Sequence, residues 1–195
     1  YELADGSLTV LGLSRHAKDA AKGVNAIVRL AKALRKWSDH PTLRFIADAV
    51  GEDATGSSLF GLITDEPSGD LSFNIAGLTL NQDFSEIRLD IRIPVLADKE
   101  DLVEILSKKA AAYHLHYEEF DYLASLYVPL DSELVSTLMS VYQDKTGDAT
   151  PAKSSGGATF ARTMPNCVAF GACFPGSLQT EHQENERIKL EDLYK

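Results

Sequence analysis

Glu86-Ile-Arg-Leu-Asp-Ile-Arg-Ile93 sets the frame. Ile87, Leu89, Ile91 and Ile93 alternate with Arg88, Asp90 and Arg92, the two-residue period of a half-buried antiparallel strand. Residues 71–80 read as a second strand, joined to the first through the turn-like Asn81-Gln-Asp83. Upstream, an opening strand over 8–13 leads to a polar connection and a helix over about 23–37, with Val24, Ile27, Val28, Ala31 and Leu34 on one face. A second helix follows Pro41, carries Leu43, Phe45, Ile46 and Ala49, and stops at Gly51. Residues 52–69 hold Gly, Ser, Asp and Pro and read as loop. Downstream, Asp98 caps a helix to about residue 113, residues 116–128 return as a strand, and Asp131 caps a helix that includes Leu134, Val135 and Leu138. This order predicts an α+β fold, an antiparallel sheet with helices on one face.

The character changes after Thr146-Gly-Asp148. Residues 156–162 and 166–174 read as strands of a different sheet, followed by a loop with Pro175, Gly176 and His182 and by the start of a helix. The expected boundary therefore divides the chain into 1–148 and 149–195. The chain opens at Tyr1 and closes within the first turns of an amphipathic helix, so we expect a fragment of something longer.

The chain has 195 residues, 44% hydrophobic and 25% charged, enough for one or two globular domains. A formal net charge of -10 argues against nucleic acid as a partner, because phosphate binding rests on clustered Lys and Arg. No apolar run approaches the roughly 18 residues that would suggest a membrane span. Cys167 and Cys173 lie in an apolar run and read as buried, reduced thiols in a strand, which fits a cytoplasmic protein.

Four short patterns occur in order: Gly12-Leu-Ser-Arg-His-Ala17 with Lys22-Gly-Val-Asn-Ala26; Leu89-Asp-Ile-Arg-Ile-Pro94; Ser154-Ser-Gly-Gly-Ala-Thr-Phe-Ala-Arg162; and Glu181-His-Gln-Glu-Asn-Glu186. Together they resemble the dizinc peptidases that include aminoacylase, carnosinase and carboxypeptidase G, and the third is most similar to the bacterial V-type dipeptidases. The resemblance implies a ferredoxin-like βαββαβ lid domain followed by the C-terminal segment of a catalytic domain. It implies a dipeptide or other small amide as substrate, two zinc ions in the intact parent, a missing catalytic-domain segment as partner, and a homodimer.

Residue by residue, the resemblance makes His16 the donor to the tetrahedral oxyanion, which needs a positioned hydrogen bond. Arg92 takes the substrate's free carboxylate, a fit for the guanidinium fork, with help from the backbone at Gly156 and Gly157. His182 becomes a zinc ligand. The other ligands of such a centre, a His-x-Asp pair, a bridging Asp, a Glu-Glu pair and a further carboxylate, have no counterpart here, so the fragment alone is expected to be inactive. His114-Leu-His-Tyr-Glu-Glu119 imitates a metal cluster but falls outside the family's order of ligands. Two other readings stand beside a dipeptidase: an amide or N-acyl amino acid hydrolase on the same scaffold, and a noncatalytic lid or dimerisation module.

Overall fold

A computed structural model describes the chain except Tyr1, Asp5, His16, Gly156, Ala172, Cys173, Gln179, Glu181, His182, Gln183 and Lys195. It divides into two compact units, one formed by Tyr1–Tyr127 with Thr150–Ala158 and the other by Val128–Ala149 with Thr159–Lys195. Helices combine with three two-stranded antiparallel sheets among the described residues, an α+β composition.

Strands β1 (Glu2–Ala4) and β2 (Ser7–Thr9) pair first, and a short hairpin joins β3 (Thr64–Asp65) to β4 (Gly69–Asp70). The hairpin expected from alternation is the frame of the first unit. β5 (Ser72–Leu80) pairs with β6 (Ser85–Arg92), from Ser72 opposite Arg92 to Leu80 opposite Ser85, with a bulge between Ile75 and Gly77. The Asn81 side chain closes the turn by accepting from the N–H groups of Asp83 and Phe84 at 3.0 and 2.9 Å, an Asx arrangement.

Three helical elements share a core with this hairpin. α1 (Ala26–Leu34) buries Val28 and Ala31. α2 (Pro41–Arg44) starts on a proline, which suits a first turn because no N–H is needed there. It widens over 45–50, where the Gly51 N–H reaches back to the Ile46 carbonyl at 2.9 Å. α4 (Lys99–Ala111) starts at the expected cap, Asp98, whose side chain accepts from the N–H groups of Glu100 and Asp101. Their apolar faces meet Leu71, Phe73 and Ile75 in one core with Leu43, Phe45, Ile46, Leu102 and Leu106.

Several expectations need correction. The opening strand is shorter than 8–13, and Leu13 instead makes an isolated antiparallel bridge with Val24. The loop over 52–69 contains α3 (Ser57–Phe60) as well as the β3–β4 hairpin. Residues 116–128 form no strand. The Lys99 ammonium binds Glu119 at 3.1 Å and lies 4.4 Å from the centre of the Tyr122 ring, which ties this segment to the start of α4, and the Ser125 hydroxyl reaches the Ile93 carbonyl just past β6 at 3.5 Å.

In the second unit, α5 (Glu133–Thr146) is capped by Ser132, not Asp131, and ends at Gly147 in the left-handed region, φ 71°. The strands expected over 156–162 and 166–174 are absent among the described residues. Thr159 accepts from the Ala161 N–H and starts a 3-10 turn over Phe160–Thr163 instead, leaving Phe160 92% exposed. Cys167 is partly exposed and outside any strand, contrary to the buried thiol expected, and Cys173 lies outside the described residues. Tyr142 packs against the rings of Phe170 and Phe174, and α6 (Leu190–Leu193) closes the chain. Among the described residues no helix is long and apolar enough to cross a membrane.

Candidate functional site

A clipped loop and a strand end make up the candidate site. Leu13 and Val24 exchange both N–H···O=C hydrogen bonds at 2.9 Å, closing the base of the loop between them. The approach is tight enough to require glycine on each side. A Cβ on Gly12 would stand 2.5 Å from the Val24 carbonyl oxygen, and one on Gly23 would stand 2.8 Å from that of Leu13. The spaced glycines of the first pattern thus have a structural reason that the sequence did not disclose.

Asn25 fixes the exit of the loop. Its Oδ1 accepts from the N–H groups of Ile27 and Val28 as the α1 cap, at 2.9 and 3.4 Å. Its Nδ2 donates to the Ile75 carbonyl at 2.8 Å and to Asn74 Oδ1 at 3.1 Å, joining the helix start to the bulged part of β5. The interior of the loop is tied down as well, because the Ser72 hydroxyl donates to the Ala17 carbonyl at 2.6 Å. The capping role was open to sequence reasoning, since Asn directly ahead of an apolar period is an N-cap signal. The Ser72 contact links residues 55 apart and had no local signal.

Arg92 is the last residue of β6 and sits opposite Ser72. Its Nη2 donates to Asp90 Oδ2 at 3.0 Å, as expected for side chains two apart on one strand face. Its Nε is buried and makes no hydrogen bond, although Asp90 Oδ1 is 2.9 Å away. The Arg92 side chain is 36% exposed, against 69% for Arg88, so the strand end holds the more enclosed of the two guanidinium groups. Such a group is suited to a planar carboxylate. Gly157 lies in a bend, its N–H donating to Ser155 Oγ at 3.2 Å, and a Cβ there would meet nothing closer than that oxygen at 3.5 Å. His16, Gly156 and His182 lie outside the described residues, so only Arg92 and Gly157 of the expected site residues are seen.

A cleft of about 310 Å³ opens beside the loop exit, lined by Gly23, Asn25, Arg29, Asp53, Phe73 and Asn74 among others. Burial pushes the Asp53 carboxyl up. Hydrogen bonds from the Ser57 and Thr55 hydroxyls and from the N–H groups of Thr55 and Ser58 outweigh it and hold the group at about 2. An acid that stays ionised at neutral pH and is saturated with donors organises a loop rather than shuttling protons. Among the described residues no group of three or more His, Cys, Asp or Glu that could hold a metal ion is found.

No protein-family model matches the chain. It is 33% identical over 191 residues to the Bacillus subtilis (strain 168) protein named "Putative dipeptidase YtjP", covering 95% of this chain and 41% of that protein. It is 27% identical over 192 residues to "Putative dipeptidase SH1171" of Staphylococcus haemolyticus, and 28% identical over 192 to "Putative dipeptidase MW1694" of Staphylococcus aureus, each covering 96% of this chain and 41% of the relative. The chain therefore spans about two-fifths of the length of the curated relatives it matches. These similarities support a dipeptidase family.

Proposed function

We propose that this chain is part of a cytoplasmic dipeptidase, with its first region acting as the substrate-facing lid. The observation that carries the reading is the 33% identity to a protein named as a dipeptidase over 95% of the chain. Two features of the fold support it. The loop that contains His16 is clipped at its base, and Arg92 stands half-exposed at the end of the strand opposite the residue that grips that loop.

In this reading His16 donates to the oxyanion formed when the amide carbonyl is attacked, and Arg92, with the backbone at Gly156 and Gly157, binds the terminal carboxylate of the dipeptide. Asp90 holds the guanidinium in place until the substrate takes over part of its donors. A zinc pair and His182 as one of its ligands come from the family resemblance alone. The His-x-Asp pair, bridging Asp and Glu-Glu pair of such a centre have no counterpart in this sequence, so beside His182 this chain's part in the proposal is binding and orientation. The isolated chain is then inactive, and the ferredoxin-like lid and a homodimer through it belong to the same proposal.

The test uses the intact protein with free and C-terminally amidated dipeptides. His16→Ala is expected to lower turnover by roughly two to three orders of magnitude, as loss of one oxyanion donor does. Arg92→Ala is expected to remove most of the preference for the free acid, and Arg88→Ala to leave it in place. An intact protein that hydrolyses no dipeptide, or an acid preference that survives Arg92→Ala, would overturn the assignment.

A further inference from the structure

The loop between Leu13 and Val24 is closed at its base by two backbone hydrogen bonds, but a closed base fixes only the ends of a loop. Its middle is set by a different contact. The Ser72 hydroxyl, partly buried, donates to the Ala17 carbonyl at 2.6 Å, a short neutral hydrogen bond. Ala17 follows His16 in sequence, and Ser72 is the cross-strand partner of Arg92. One side chain on the first residue of β5 therefore connects the loop of the proposed oxyanion donor with the strand of the proposed carboxylate binder.

We infer that Ser72 is a positioning residue: its hydroxyl holds the loop between Leu13 and Val24 at Ala17, the residue that follows His16 in sequence, from the strand position opposite Arg92. This rests on the dipeptidase reading above. The residue acts through the loop and touches no substrate. The physical reason to expect a kinetic effect is that donors to a developing charge act only when held in place beforehand, and a displacement of about 1 Å can reduce rate by two orders of magnitude. The hydroxyl is also dispensable for packing, since the buried positions of this strand are Phe73 and Ile75. Removing it should loosen the loop and leave the core whole.

The experiment compares Ser72→Ala, Ser72→Thr, His16→Ala and the double variant Ser72→Ala/His16→Ala in the intact protein, with kcat and KM for a dipeptide and a thermal unfolding curve for each. Ser72→Ala is expected to lower kcat about tenfold to a hundredfold, with KM changed less than threefold and Tm within a few degrees of wild type. Ser72→Thr, which keeps the hydroxyl and suits a strand, is expected to restore kcat to within about threefold. The double variant is expected to be no slower than His16→Ala alone, because a residue that works through His16 has nothing left to position. If His16→Ala is severe but Ser72→Ala leaves kcat intact, or the two losses multiply, Ser72 is not a positioning residue and the dipeptidase reading stands. If His16→Ala has no effect, the role given to His16 fails and this inference fails with it.

Discussion

α4 and α5 begin alike and end in different surroundings. Each is preceded by a polar side chain that accepts from first-turn N–H groups, Asp98 for α4 and Ser132 for α5. α4 then packs beside α3 and buries Leu102, Leu106 and Ala110 in the one core cluster of the first unit. α5 buries Val135 alone, and its Val141 remains 50% exposed. Local chemistry is sufficient to start a helix, but only the first helix has been given a core to join. The same contrast holds between the two units. Leu43, Ile46 and Leu71 are at most 2% exposed in the first, whereas Phe160, Leu178, Leu193 and Tyr194 are exposed in the second.

Truncating one apolar side chain in each helix is the strongest way to break this comparison. Leu106→Ala should destabilise the first unit by about 2–5 kcal/mol, the usual cost of removing a buried leucine side chain. Val141→Ala should change stability by no more than about 0.5 kcal/mol, as at other exposed positions. Denaturant unfolding of the chain measures both. Similar losses in the two variants would mean that α5 has a core after all.

The caps give a smaller effect and a sharper distinction. Asp98→Ala and Ser132→Ala should each weaken their helix by about 1 kcal/mol. In α4 that loss should appear in global unfolding, because the helix is part of the cooperative core. In α5 it should appear as faster amide exchange of residues 133–136 with little change in the global midpoint. A Ser132→Ala midpoint shift as large as that of Asp98→Ala would show that the two helices unfold together.

What could be read in the sequence follows the same division. Ile87, Leu89 and Ile91 alternate because one face of the strand packs, partly buried, against the core, so the hairpin was legible from period alone. Residues 116–128 carry apolar and aromatic side chains that suggest a strand, yet a strand needs a neighbour, and neighbours are not written locally. Phe160 and Phe170 misled for the same reason, reading as strand residues in a region that gives them no sheet. The place of Arg92 on its strand was legible through the alternation, whereas its proposed role comes from the family resemblance, with the proline two residues on. Gly12 and Gly23 were recognisable as a pattern, but their reason, the close approach to Val24 and Leu13, is a tertiary fact. Ser72 had no signal at all, since its partner lies 55 residues away.

The smallest expected effect separates the units by pH. Asp53 is held at about 2 against an ordinary 3.8; burial raises it, and donors from Ser57, Thr55 and Ser58 lower it further than burial raises it. At about 1.4 kcal/mol per unit that drop corresponds to roughly 2.4 kcal/mol, and solvent around this half-exposed loop screens it to under about 1 kcal/mol. A depressed carboxyl stabilises the fold above its unfolded value, so the contribution is whole above 3.8 and is lost as pH falls toward about 2. Tyr142 in the second unit has the opposite dependence. The Asp148 carboxylate accepts its hydroxyl proton at 2.7 Å, and with burial this raises the phenol above its usual 10.0, so the contact is present at neutral pH and is lost as pH rises through the raised value. The stability difference between wild type and Asp53→Asn should therefore shrink only on the acid side, between 3.8 and about 2. Tyr142→Phe should abolish an alkaline transition, followed by tyrosine absorbance, and leave the acid side untouched. If the Asp53→Asn difference persists unchanged at pH 2, the carboxylate's hydrogen bonds are not what shapes the loop, and the first unit owes its order there to packing alone.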